Sequence, residues 1–211
     1  SGKSTVASIL MGRNKGYRGT LTVGGIPLSE ISEQSLLKHF TYISHQSYLF
    51  KGTVRDNLLM AKPDADDRQL WKVLEQVRLA DFLRQENGLD TELKERASNF
   101  SGGQCQRLAL ARALLHDSSV YIFDEATSNI DVESENDIME QIYQLSKNKT
   151  VILISHRLAN VVKADKSYVL RNGYLGESGT HKTLLMQEGY YSRLWNAQQE
   201  LENYTRGGCN R

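Results

Sequence analysis

Between Val120 and Phe123 the chain runs through four apolar residues, "VYIF", and then meets two acids, Asp124 and Glu125. A strand with one face in water alternates apolar and polar side chains. A continuous β-rich apolar run marks a strand covered on both faces, as in parallel sheets roofed by helices. "TVILIS", Thr150 to Ser155, predicts a second buried strand of the same kind, with the amphipathic helix "DVESENDIMEQIYQLSK" between the two. Strands alternating with helices make the fold class α/β with a mostly parallel sheet. Such sheets bind ligands beyond the carboxyl ends of their strands, which makes Asp124 and Glu125 candidate functional residues. The plain alternative is a strand ending in a solvated acidic turn.

The remaining segments fit this class. "GKSTVASILM" predicts a helix after a glycine turn, with Val6, Ile9 and Leu10 on one face. "TLTV" (Thr20 to Val23) predicts a short strand turned by Gly24-Gly25, "SEQSLLKHF" a short helix and "TYIS" (Thr41 to Ser44) a strand. From there to about Ser118 the pattern is mostly helical, with Asp66 as an N-cap and Leu70, Val73, Leu74 and Val77 at helical spacing. "NGLDTELKERASNF" reads as a polar loop and "GGQCQRLALARALLHD" as a long helix. "SYVLRNGYLGES" predicts a hairpin turning at Asn172-Gly173, and "YYSRLWNAQQELENY" a terminal helix. The nearly all-helical stretch from about Gln46 to Leu115 is expected to form its own lobe.

Composition narrows the function classes. The 211 residues suit one large domain or two small lobes, and a formal net charge of +1 gives no electrostatic case for a nucleic-acid or membrane-surface partner. No apolar run is long enough to span a bilayer, and the opening Ser-Gly-Lys is not a signal peptide. Two distant cysteines, Cys105 and Cys209, make neither a disulfide framework nor a metal site and fit a reducing, cytosolic setting. Cys105 is expected to be packed or half-exposed and Cys209 exposed in a polar tail.

Two glycine-bearing stretches carry chemistry. "SGKST", Ser1 to Thr5, matches the end of the phosphate-binding loop G-x-x-x-x-G-K-[ST]. There backbone N–H groups and a helix N-terminus bind phosphate oxygens, the lysine reaches the β- and γ-phosphates, and the hydroxyl ligates Mg²⁺. Alone, so short a match is as readily a coincidence. "FSGGQ", Phe100 to Gln104, opens a long helix with glycines that leave its N-terminus open to an anion. Alone, it is equally a simple N-cap with a glycine turn.

Taken in order, these motifs resemble those of ABC transporter nucleotide-binding domains. "SGKST" looks like the end of Walker A, and "ISHQSYLF" like the Q-loop with Gln46 as its glutamine. "FSGGQ" looks like the signature motif, "VYIFDE" like Walker B, "SNID" (Ser128 to Asp131) like the D-loop, and "ISHR" like the H-loop with His156. The resemblance spans about Ser1 to Gln187. "LFKGTVRDNL" and "SGTHKTLL" are similar to the exporter branch, where the ATPase domain is fused behind a transmembrane domain. Phe100 replaces the usual leucine, Asn129-Ile130 replaces Ala-Leu in the D-loop, and His45 stands where proline is common.

The resemblance implies a P-loop NTPase core with an inserted α-helical subdomain, the ABC ATPase fold, lacking its N-terminal strands. The expected parts are residues 1–45 and 118–211 for the core and 46–117 for the helical signature subdomain. It implies ATP and Mg²⁺ as cofactors, with Ser1, Gly2, Lys3, Ser4 and Thr5 on the phosphates and Ser4, Gln46 and Asp124 toward the metal. Glu125 is the implied general base, His156 the γ-phosphate sensor, and Gln46 the residue positioning water. Ser101, Gly102, Gly103 and Gln104, with Ser128 and Asp131, would close over the nucleotide of a second domain in a head-to-tail dimer, homo- or heteromeric. The expected setting is the cytoplasmic face of a membrane, attached to a transmembrane domain. A soluble ABC ATPase of the translation-factor or DNA-repair type is the alternative. A chain entering Walker A midway is expected to bind ATP weakly. His39, His45, His116 and His181 are expected in surface or packing roles, and Tyr190, Tyr191 and Trp195 in a core or interface.

Overall fold

The computed structural model describes residues 2–45, 48–128 and 130–207. It forms two compact units, one within Ser8–Ile154 and one from the two ends of the chain, within Ser1–Ala7 and Ser155–Arg211. Helix α1 (Lys3–Leu10) runs from the second of these into the first. Ala7 is its buried residue, and Val6 is 46% exposed.

In the larger unit, β1 (Thr22–Val23) and β2 (Ile26–Pro27) form a small antiparallel hairpin. Gly24 and Gly25 turn it at φ 58° and 83°, the paired left-handed conformation that two-residue hairpin loops require. Helix α2 (Glu33–His39) starts at Ser32, whose side chain accepts from the Ser35 N–H, and leads straight into β3 (Phe40–Ser44). There follow β4 (Gly52–Thr53), α3 (Val54–Leu59), α4 (Asp67–Gln76), α5 (Ala80–Gln85) and β5 (Glu92–Leu93). The segment read as uniformly helical thus also contains an antiparallel β4–β5 pair. The segment read as a polar loop supplies β5 and two 3-10 turns, because Leu89, Leu93 and Ala97 point inward among its charges. Asp66 caps α4 as expected, in a reciprocal box with Gln69.

Helix α6 (Gly102–His116), β6 (Val120–Asp124), α7 (Val132–Ser146) and β7 (Thr150–Ile154) complete the unit. The three longer strands form a parallel sheet in the order β3-β6-β7, in a register that brings Ser44, Asp124 and Ile154 level at their carboxyl ends. Tyr121, Ile122 and Phe123 are fully buried, as a strand with neighbours on both edges and cover on both faces must be. Each such side chain contributes about 1.5–3 kcal/mol on burial. The expectation for β7 needs correction: Val151 to Ile154 are only half-buried. Among the described residues β7 is an edge strand of this sheet, with a neighbour on one side alone. One apolar core runs from Tyr121 and Phe123 through Leu108 and Leu110 of α6 to Leu58, Leu70, Leu74 and Leu83.

In the smaller unit, β8 (Ser167–Arg171) and β9 (Tyr174–Gly179) pair antiparallel around Asn172 and Gly173, at φ 49° and 82°. Helix α8 (His181–Met186) is capped by Thr180. Helix α9 (Tyr190–Gly207) is capped from outside: the Glu177 carboxylate accepts from the Tyr190 and Tyr191 N–H groups at 2.5 and 3.1 Å. Leu158, Leu184 and Tyr191 are the core here, with Trp195 packed on them; Tyr190 is 39% exposed. His181 donates to or accepts from the Tyr191 hydroxyl at 2.8 Å and stacks edge-on against Trp195.

Candidate functional site

The carboxyl end of β6 places its two acids in different settings. Asp124 is the last strand residue and is buried at 6% exposure. Its Oδ2 accepts a hydrogen bond of 2.9 Å from the Tyr42 hydroxyl on β3. Tyr42 stands opposite Ile122 in the parallel register, so its side chain lies on the same sheet face as Asp124, two residues along. The Arg13 guanidinium covers the Tyr42 ring at 5.2 Å. Burial, then the bond to Asp124, pushes the Tyr42 phenol up to about 12.

Glu125 follows with φ 53°, a left-handed conformation that a side chain rarely adopts. Its N–H continues the ladder by donating to the Ile154 carbonyl at 2.9 Å, and its carbonyl accepts from the Ser128 N–H at 3.0 Å. The backbone is therefore held on both sides while the chain turns away from the strand. Behind the turn, the Thr127 hydroxyl donates to the buried Glu135 carboxylate at 3.1 Å.

The second cluster joins two helix N-termini. Ser101 caps α6: its Oγ accepts from the Gln104 N–H at 3.2 Å, and Gln104 Oε1 accepts from the Ser101 N–H at 2.8 Å. Ser101 and Gly102 are exposed, so the first turn of α6 presents its N–H groups outward. Gly103 is buried against α7; a Cβ there would lie 2.4 Å from Ser134 Oγ and 3.3 Å from Asp131 Oδ2. Asp131 caps α7 by accepting from the Ser134 N–H at 2.8 Å, which holds its carboxyl below the usual carboxylate range. Arg107, one turn further along α6, donates to Ser134 Oγ at 3.2 Å and to Asp137 at 2.9 Å. Phe100 is buried edge-on against Phe82 at 5.5 Å. Cys105 is half-buried, and burial pushes its thiol up.

In the larger unit, then, Asp124, Glu125, Ser128 and Asp131 follow one another from strand end to helix cap. Asp131 in turn meets the α6 terminus of Ser101 to Gln104. In the smaller unit, Gly2 takes φ 92° and Lys3 opens α1 with Ser4 and Thr5 exposed. His156 follows β7, and its backbone is fixed by Gln198, which donates to the His156 carbonyl at 2.7 Å and accepts from the Leu158 N–H at 2.9 Å. Ser1, Gln46, Asn129 and Cys209 lie outside the described residues.

Three participants were not read from the sequence: Tyr42, Ser134 and Gln106, whose buried side chain donates to the Ser44 carbonyl at 3.1 Å. Each acts across 31 to 82 residues of chain. No local signal marks them: Ser134 lies among acids in "DVESEND" and Gln106 in the polar "GGQCQR".

The partner of the Asp124 carboxylate is an oxygen group, the Tyr42 hydroxyl. Among the described residues no group of three or more acids, histidines or cysteines is placed to hold a metal. A single carboxylate with hydroxyls fits Mg²⁺, which binds through one or two carboxylates plus substrate phosphates. None of the described helices is long and apolar enough to cross a membrane.

Comparison with known proteins bears out the family resemblance. The family model described as ABC transporter matches residues 1–128. An uncharacterized ABC transporter ATP-binding protein of Haemophilus influenzae is 52% identical over 201 residues, which are 95% of this chain and 36% of that protein. The ATP-dependent lipid A-core flippase 1 of Colwellia psychrerythraea is 37% identical over 95% of this chain and 33% of its own. The solved structure of a bacterial Atm1-family ABC exporter with ATP bound superimposes with a TM-score of 0.87 and 32% identity, over 93% of this chain and 35% of that one. The chain spans about a third of the length of the relatives it matches.

Proposed function

This chain belongs to the ABC transporter family, as a nucleotide-binding domain of the exporter type, and on that premise we propose that it hydrolyses ATP within a head-to-tail dimer and drives an attached membrane domain. ATP-binding capacity comes with the fold, and ATPase activity is implied by the family. The roles of individual residues follow from their chemistry. The Lys3 ammonium offsets negative charge on the β- and γ-phosphates. The Ser4 hydroxyl and the Asp124 carboxylate are the oxygen donors toward Mg²⁺, which supplies charge neutralisation and orientation of the γ-phosphoryl group when bound.

Glu125 accepts the proton of the attacking water at its carboxylate. A base on a pinned backbone loses little freedom when it acts, and the bonds to Ile154 and Ser128 supply that pinning. His156 donates to the γ-phosphate. Ser101 and the first N–H groups of α6 bind the phosphates of ATP carried by the second domain, where an exposed helix N-terminus favours negative charge. Ser128 and Asp131 lie at the contact between the two domains. Closure on ATP and opening after hydrolysis then move a membrane domain at the cytoplasmic face, and the flippase and exporter relatives support outward transport as the result.

The observation that carries this reading is the pair Asp124 and Glu125: a buried carboxylate ending the middle strand of a parallel sheet, then a carboxylate on a left-handed turn. The test is Glu125→Gln in the natural protein, followed by ATP turnover and by nucleotide retained after gel filtration. Turnover is expected to fall by roughly 10²–10⁴-fold, the worth of a positioned base, while ATP stays bound in a stable dimer. Hydrolysis at the parent rate would remove Glu125 from the role of base.

A further inference from the structure

We propose that Tyr42 is a positioning residue of the ATPase site, whose hydroxyl holds the Asp124 carboxylate in the orientation that receives Mg²⁺. The inference rests on the ATPase reading above and adds to it a residue on another strand.

A buried carboxylate needs a donor. Asp124 is taken out of water at 6% exposure, and an unsupported buried acceptor is costly. A carboxylate on a short side chain also rotates about its Cβ–Cγ bond, so a cation approaching one oxygen needs the other fixed. The Tyr42 hydroxyl donates to Oδ2 at 2.9 Å, a bond to a charged acceptor that leaves Oδ1 as the oxygen to meet a cation.

The donor is itself fixed. Its strand is zipped to β6 in unbroken parallel register from Phe40–Val120 to Ser44–Asp124. Arg13 lies over one face of its ring at 5.2 Å. A tyrosine ring has only two side-chain torsions, so little disorder remains to be lost when the bond forms. A phenol is also neutral: it orients the carboxylate without cancelling the charge that attracts a cation. A lysine or arginine in its place would compete with Mg²⁺ for Asp124. This separates Tyr42 from a merely structural tyrosine, for which any partner of similar shape would serve.

Tyr42→Phe keeps the ring and its packing and removes the hydroxyl alone. In the natural protein, ATP affinity is measured by calorimetry with EDTA and again with Mg²⁺, beside the Mg²⁺ concentration that half-saturates hydrolysis. Affinity for metal-free ATP is expected to match the parent. The gain in affinity on adding Mg²⁺ is expected to shrink by about tenfold, the usual size of a lost hydrogen bond to a charged group, and half-saturating Mg²⁺ to rise by a similar factor. In an Asp124→Asn background the same change should have no further effect on the Mg²⁺-dependent gain.

A second measurement needs no variant. With tyrosine labelled at ¹³Cζ, the Tyr42 resonance of the parent should move on adding Mg²⁺ with ATP and stay in place on adding ATP with EDTA. An unchanged Mg²⁺ gain in Tyr42→Phe, or a Tyr42 resonance indifferent to Mg²⁺, overturns the inference alone. A parent whose ATP binding gains nothing from Mg²⁺ overturns the ATPase reading and this inference together.

Discussion

A methyl group on Gly103 and the side chain of Ser134 would claim the same space: the added Cβ would stand 2.4 Å from Ser134 Oγ and 2.9 Å from Ser134 Cβ. Gly103 is in the first turn of α6 and Ser134 in the first turn of α7, so two helix starts abut with no side chain between them. Gly103→Ala is therefore expected to destabilise the protein by about 1–3 kcal/mol, the range for forced overpacking. Ser134→Gly should cancel most of that loss when the two are combined. Urea midpoints of the two single variants and the double variant measure the coupling; strictly additive losses would mean the helices can part without cost.

Glu125 offers the opposite case, a residue whose backbone costs stability where it stands. A side chain at φ 53° is strained by about 1–2 kcal/mol relative to glycine. Glu125→Gly should slow hydrolysis as strongly as Glu125→Gln yet raise the denaturation midpoint, whereas Glu125→Gln should leave the midpoint where it was. A midpoint that falls in the glycine variant would show that the side chain stabilises the fold by more than its backbone costs.

Buried phenols weaken the fold at alkaline pH, Tyr42 and Tyr121 most of all. Burial is the first cause that pushes both Tyr42 and Tyr121 up to about 12. The unfolded chain releases these protons near pH 10, roughly the ordinary tyrosine value. Above that pH the unfolded state therefore holds fewer protons than the folded one, and stability falls as pH rises until the folded pKa is passed. The loss belongs to the window from about pH 10 to about 12. Burial also raises the Tyr143 and Tyr191 phenols, so phenolate absorbance should show four of the ten tyrosines lagging in the folded protein, and one fewer in Tyr42→Phe. Ten phenols rising together near pH 10 while the fold persists would contradict it.

The proposed composite dimer makes a prediction in mixtures. Lys3→Ala would damage the proposed phosphate-binding end of a domain, and Ser101→Arg the terminus that it would lend to its partner. In a dimer of one variant with the other, both lesions fall in one nucleotide site and the other site is whole. Mixing two nearly inactive proteins should then restore turnover to about half the parent rate per mixed dimer. Turnover that depends only on an intact Lys3, whatever the partner's residue 101, would exclude the head-to-tail arrangement.

Local signals carried much of the fold. Val120 to Phe123 read correctly as a doubly covered strand because every residue is apolar, and Asn172-Gly173 read correctly as a hairpin turn because both need left-handed backbone. The run at β7 has one signature whether its second edge is paired or open, and the sheet order among the described residues tells the two apart. The acids at 124 and 125 were visible as a motif. Their different settings were not, since Tyr42 lies 82 residues from Asp124 and the turn at Glu125 depends on the carbonyl of Ile154. Gly103 read as an open approach for a ligand, but it is Gly102 that is exposed; Gly103 is small because Ser134 is there.

The reciprocal cap at Ser101 has a consequence for how mutants of this helix are understood. A hydroxyl has two lone pairs and one hydrogen, and the bond from the Gln104 N–H uses a single lone pair. The hydrogen remains able to swing outward toward an anion while the cap stays closed. One atom thus reports two quantities, and an alanine scan would blend them: Ser101→Ala loses the cap, at about 1 kcal/mol, together with the outward donor. Ser101→Asp keeps the cap and turns the outward edge negative, so it repels phosphate without loosening the helix. Read side by side, the alanine variant reports both losses at once, while the aspartate variant isolates the proposed grip on nucleotide with the cap intact. A helix start built this way can lose its hold on an anion without loosening the helix.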